Sequence, residues 1–188
     1  RNAGQTGRSP RQTALVANAG IGGENNWGDA DRWHDIVETN LTGTYNFINT
    51  FLPHLKASTS PYKHIVMTSS ILARLGVANY SAYCASKAGL LGLMRSMAIQ
   101  YAEDKILVNA ICPGWVLTPL VQKQVDAKAA ALNISNDEAI KLLLGEKEPS
   151  MQFTTPEELG ELAVFFCSKA GNNVRGVAWN MDGGWTAQ

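Results

Sequence analysis

The chain has 188 residues, 45% of them hydrophobic, enough for one domain with a substantial core. Sixteen basic residues balance sixteen acidic ones, so neither nucleic acid nor an anionic membrane surface is expected as a partner. No stretch approaches the ~20 apolar residues of a membrane helix. Three cysteines without CxxC spacing (Cys84, Cys112, Cys167) argue against a disulfide framework and for reduced, buried thiols in a cytoplasmic protein.

The N-terminal "RNAGQTGRSPRQT" is polar and lacks the apolar core of a secretion signal. "TALVANAG" (13–20) reads as a buried strand running into a loop. Residues 29–55 follow with Trp33, Ile36, Val37, Leu41, Phe47, Ile48, Phe51, Leu52 and Leu55 at helical spacing; Pro53 is expected to end or bend this helix. "KHIVMTSS" (63–70) is a second buried strand. Residues 80–102 form a second long helix, its stripe running from Tyr83 and Lys87 through Leu90, Leu91, Met94, Met97 and Ala98 to Tyr101. "ILVNAIC" (106–112) is a third strand, broken by Pro113 and Gly114. Residues 119–147 read as a helical hairpin. A helix over 155–170 has a Thr cap, Pro at its first position and acids in its first turn. "GVAWNMDGG" (176–184) is a last strand and turn.

Strands alternating with helices predict βαβ units in one α/β domain with a parallel sheet. Chemistry in such sheets lies beyond the carboxyl ends of the strands. That rule gathers Asn18 to Gly20, Ser69, Ser70 and Pro113 to Thr118 along one edge.

One constellation stands out there. Tyr83 and Lys87 are four apart, so they share a helix face, and that helix starts just after the loop leaving Ser70. A free phenol has a pKa of ~10, so ~0.1% is ionised at pH 7. Bringing it to ~7 takes ~4 kcal/mol, about what an ammonium at ~4 Å supplies in a partly buried site. Tyr83 is then expected to act as general acid or base. Lys87 would tune it, and Ser70 would hold a substrate oxygen. The plain alternative is a rim tyrosine covered by a lysine stem, and Asn40 has one too, a backbone bond made from mid-helix.

The residues "NAG" (18–20), Asn40 in "VETNLTG", "SS" (69–70), "YCASK" as Tyr-x-x-x-Lys, "NAICPGWVLTP" (109–119) and "MDGGW" (181–185) occur in one order, with Ser70 thirteen residues before Tyr83. In this the chain resembles the short-chain dehydrogenase/reductase family from residue 13 to 188. The resemblance implies a Rossmann-like doubly wound parallel sheet with flanking helices. It also implies an oxidoreductase using NAD or NADP to interconvert a secondary alcohol and a ketone. Tyr83 would exchange the proton, Lys87 would bind the nicotinamide ribose, Ser70 would hold the carbonyl and Asn40 would hold a relay water. Asn18, Ala19 and Gly20 would line the cofactor cleft together with Tyr83 and Lys87. Pro113, Gly114, Val116 and Thr118 would hold the carboxamide, and no metal is implied.

The family's glycine-rich turn after a first strand has no counterpart. "GQTG" (4–7) follows no strand, so the chain is expected to be part of a longer one or a truncated piece without the N-terminal βαβαβ half, which leaves NAD or NADP open. A catalytically idle relative with a scaffold role is the competing reading. The C-terminal part resembles 3-hydroxybutyrate dehydrogenases, with Gln124 at a substrate-contacting position and Trp115 and Trp185 near the pocket. Three polar positions of those enzymes hold Gly22, Leu72 and Tyr80 here. An unpartnered carboxylate loses strong bonds, so a less charged ketone or alcohol is expected, with a small hydroxy acid as the alternative. Segment 119–147 is expected to be a substrate lid. The helices at 29–55 and 80–102 would pair across subunits of a homodimer or homotetramer, with the C-terminal "WTAQ" near another contact.

Overall fold

The computed structural model describes residues 13–28 and 31–187; the "GQTG" reading lies outside them. Four strands, β1 (Ala14–Ala17), β2 (Lys63–Thr68), β3 (Ile106–Pro113) and β4 (Ala178–Met181), form one sheet in sequence order, every pair parallel. The α/β reading therefore holds, and all four carboxyl ends lie along one edge.

Alternation along the strands explains the layering. Leu15, Ala17, Ile65, Met67, Val108, Ala110 and Cys112 face one side. There α2 (Gly43–Ala57) contributes Ile48 and Leu55, and α3 (Ser81–Gln100) contributes Leu90, Leu91, Met94, Met97 and Ala98. Val66 and Ile111 face the other side, against Phe166 of α6 (Pro156–Cys167). Each buried Leu or Phe side chain contributes about 1.5–3 kcal/mol, so these layers hold the strand ends in place. A separate small cluster of Val125, Ala129 and Ala139 joins α4 (Pro119–Leu132) to α5 (Asn136–Gly145). The expected hairpin is present, turned by Asn133 in the left-handed region and restarted by the Ser135/Glu138 capping box.

Several boundaries differ from expectation. The long helix at 29–55 is α1 (Trp33–Val37), a π-helical turn (Glu38–Thr42) and then α2. Pro53 does not end it: α2 runs on to Ala57. Nor does Pro113 end β3 early: it still pairs in register with Met181, and Gly114 N supplies the donor there, to Met181 O at 2.9 Å. Cys112 is buried as expected, but Cys84 and Cys167 are only half-buried; all three are free thiols.

Candidate active site

A cavity of about 720 Å³ opens at the carboxyl edge of the sheet. Among the expected site residues, Asn18, Gly20, Ser70, Leu72, Tyr80, Tyr83, Lys87, Pro113, Gly114, Trp115, Val116, Thr118 and Gln124 line it, as does Trp185. Two do not. Ala19 is exposed to solvent, and Asn40 is fully buried behind the wall.

Tyr83 sits in the first turn of α3 and Lys87 one turn on. The Lys87 ammonium lies 5.6 Å from the centre of the Tyr83 ring and donates to the Thr68 carbonyl at 2.9 Å, which ties α3 to the end of β2. Ser69 donates to the Lys87 carbonyl at 2.8 Å, a second tie between the same elements. Ser70 caps the short helical turn at Ile71–Ala73, accepting from Leu72 N at 3.1 Å. Its side chain also faces the Tyr83 phenol and favours its ionised form. Ser70, Tyr83 and Lys87 thus meet at one wall of one cavity.

The electrostatics differ from the sequence-based picture. Burial pushes the Tyr83 phenol above its usual range, and Ser70 only partly opposes this. Burial likewise pushes Lys87 down to about 8, against a smaller upward pull from Cys112. The expected lowering of Tyr83 is therefore not found in the protein by itself. Desolvation of both groups outweighs one ammonium that lies beyond the ring and is bonded to a carbonyl.

Asn40 owes its place to the π turn, a distortion common at functional sites. Its oxygen accepts from Ile21 N at 2.8 Å; its amide donates to Ile21 O at 2.9 Å and to Ser86 Oγ at 3.1 Å. Ser86 in turn donates to the Tyr83 carbonyl. The side chain so joins the loop after β1 to α3. It does bond to backbone, as the plain reading held, but to a distant loop. Gly20 completes this corner: a Cβ there would lie 3.1 Å from Asn40 Oδ1 and 3.3 Å from Lys87 Nζ.

Other supports carried no recognisable sequence signal. Buried Asn25 accepts from Ala82 N at 2.9 Å and bonds the Ser81 hydroxyl, so it caps α3 from a loop 57 residues away. Glu148 is buried and accepts from Trp115 N. The Trp115 indole Nε1 is itself buried with no partner among the described residues. Among the described residues lining the cavity, the basic side chains are Lys87 and Lys147, and there is no Asp or Glu. Among the described residues no group of three metal-binding side chains occurs, and no helix is long and apolar enough to cross a membrane.

Residues 8–186 match a family model described as enoyl-(acyl carrier protein) reductase. The chain is 46% identical over 158 residues to a D-beta-hydroxybutyrate dehydrogenase of Cupriavidus necator, covering 84% of this chain and 60% of that protein. It therefore spans about three-fifths of that relative's length. Among solved structures, a short chain dehydrogenase family protein from Francisella tularensis superposes with a TM-score of 0.80 at 28% identity, covering 93% of this chain and 71% of that one. L-sorbose reductase from Gluconobacter frateurii, complexed with NADPH and L-sorbose, gives 0.85 at 26% identity, covering 93% and 66%.

Proposed function

This chain belongs to the short-chain dehydrogenase/reductase family, and on that premise we propose that it serves an NAD(P)-dependent oxidoreductase interconverting a secondary alcohol and a ketone. The observation that carries this is the meeting of Ser70, Tyr83 and Lys87 at one cavity wall beyond the strand ends. The residues present fit a nicotinamide cofactor. Gly20 and Gly22 bring bare backbone beside Asn40, Lys87 and Tyr83, and the lining offers lysines and no carboxylate to an anionic ligand. Lys87 and the backbone of Asn18 to Gly20 would hold its ribose side, and Pro113, Gly114, Val116 and Thr118 its carboxamide. When bound, the nicotinamide would supply or accept the hydride.

The chain's own groups do the rest. Ser70 orients the substrate oxygen by hydrogen bond. Tyr83 passes a proton to or from that oxygen. Lys87, with a pKa of about 8, keeps its proton at neutral pH, so a cation sits beside the phenol when it ionises. Asn40 holds Ile21 and, through Ser86, the Tyr83 turn. Leu72, Tyr80, Trp115 and Gln124 shape the substrate side of the cavity. Leu72 gives a carboxylate no partner at its position, which supports a less charged ketone or alcohol. A second reading, a 3-hydroxybutyrate-type acid, is favoured by Gln124 and Lys147 on the wall and by the hydroxybutyrate dehydrogenase relative. The hairpin α4–α5 serves as the lid, and the protein works in the cytoplasm.

Turnover of secondary alcohols, hydroxy acids and ketones with both nicotinamide cofactors, followed by absorbance in the intact protein, tests the proposal. Tyr83→Phe is expected to lose at least about 10²-fold in kcat, the lower end of what general acid–base catalysis supplies, with an unchanged fold. Activity at the unmodified level rejects the mechanism.

A further inference from the structure

Glu148 lies outside the catalytic set, on the segment that follows α5. It is 1% exposed. One carboxyl oxygen accepts from Trp115 N at 2.5 Å. The other, Oε2, is buried with no hydrogen-bond partner among the described residues. Two glycines make room for this carboxyl. A Cβ on Gly114 would run into Glu148 Oε1, and one on Gly183, whose φ is +57°, would lie 3.1 Å from Oε2. The same segment is tied to that turn by the backbone, since Ser150 N donates to Gly183 O at 2.9 Å. Glu148 therefore bonds the 113–118 loop through Trp115 N and borders the 182–184 turn.

We propose that Glu148 is a positioning residue that fastens the 113–118 loop to the Asp182–Gly183 turn, and that it does so as the neutral acid. The charge environment supports the second half. A buried carboxylate with one N–H donor is poorly compensated. The charged group facing it from the neighbouring turn is Asp182, whose own oxygens already accept from Gly184 N, Thr186 N and the Thr186 hydroxyl. The 113–118 loop brings no titratable side chain. On its own segment, Lys147 reaches over the Trp185 ring, 4.9 Å from its centre. Burial, with a further push from Asp182, moves Glu148 from 4.5 to about 7 despite the Trp115 bond.

A consequence for ligand binding follows, resting on the reading of residues 113–118 as the nicotinamide floor. As pH rises through about 7, the second buried charge beside Asp182 loosens the tie, and the floor loses definition. Gln is the isosteric stand-in for the neutral acid; Ala removes the Glu148 bond to Trp115 N and leaves only the backbone bonds of Ser150 N to Gly183 O and Gly114 N to Met181 O.

Two measurements on the intact protein decide it. The first is melting temperature against pH without cofactor. The folded protein holds a proton on Glu148 that the unfolded chain has lost, so wild type is expected to lose stability as pH rises from about 4.5 to 7. Glu148→Gln should lack that component and melt higher than wild type at pH 8. The second is fluorescence titration with NADH and NADPH. Glu148→Ala should bind several-fold more weakly, and Glu148→Gln should match wild type at pH 6 while losing its decline toward pH 8. A melting slope unchanged in Glu148→Gln, or binding as poor in Gln as in Ala, overturns the neutral-acid tie. Full binding by Glu148→Ala overturns positioning. A wild type that binds neither nucleotide removes the functional reading, yet the melting comparison still judges the tie between the two loops.

Discussion

At the scale of single residues, the Tyr83 phenol is held protonated by its burial, which suits donation to a carbonyl oxygen. Alcohol oxidation needs the ionised form. Its kcat/KM is therefore expected to climb with pH above neutrality, while ketone reduction stays level at neutral pH and falls at high pH; initial rates in both directions check this. Lys87 gives a second expectation. Its folded pKa of about 8 lies below the ordinary 10.5, so the unfolded chain binds more protons between those values and stability rises with pH across that window. Lys87→Met should abolish turnover and erase that rise in a melting series. The i, i+4 spacing made this pair legible, because helix geometry alone converges the two side chains. The direction of the Tyr83 shift was not legible. It depends on how deeply three dimensions bury the ring, which spacing does not encode.

At the scale of elements, the four strands and the long helix α3 were readable from apolar runs and periodicity. The π turn was not. One extra residue per turn leaves the hydrophobic stripe of 33–55 almost unchanged, yet it turns Asn40 inward to Ile21 and Ser86. Pro53 lies near the end of α2, which runs on past it to Ala57. Asn25 was invisible because its partners at Ser81 and Ala82 are remote in sequence. Asn25→Ala removes the cap on α3, in the same turn as Tyr83. It should lower stability by about 0.5–2 kcal/mol, as cap losses do, and reduce kcat more than KM; denaturant melts and steady-state kinetics measure both.

At the scale of the whole molecule, the parallel order β1-β2-β3-β4 places the segments after β1, β2 and β3, with Asn18, Gly20, Ser70 and Pro113, along one edge, which is why motif order in the sequence anticipated the cavity. What covers the outer faces was less readable, since apolar residues there resemble core residues in a string of letters. Tyr45 and Phe47 on α2, Ile99 on α3, and Val164 with Trp179 by α6 and β4 remain exposed. We propose that copies of the protein cover them as a homodimer or homotetramer. Ile99→Glu or Val164→Glu should then reduce the sedimenting mass by breaking one contact each, and an unchanged mass for both removes those faces from the interface. The α4–α5 pair has its own apolar centre, Val125, Ala129 and Ala139, backed by Ile140, Leu143 and Phe153. A unit with private packing can swing like a paddle without melting, and swinging through water meets drag. If that paddle gates each cycle, sucrose added as a viscogen should slow the maximal rate in step with bulk viscosity, whereas a rate insensitive to thickened solvent would place the slow step in bond-making instead.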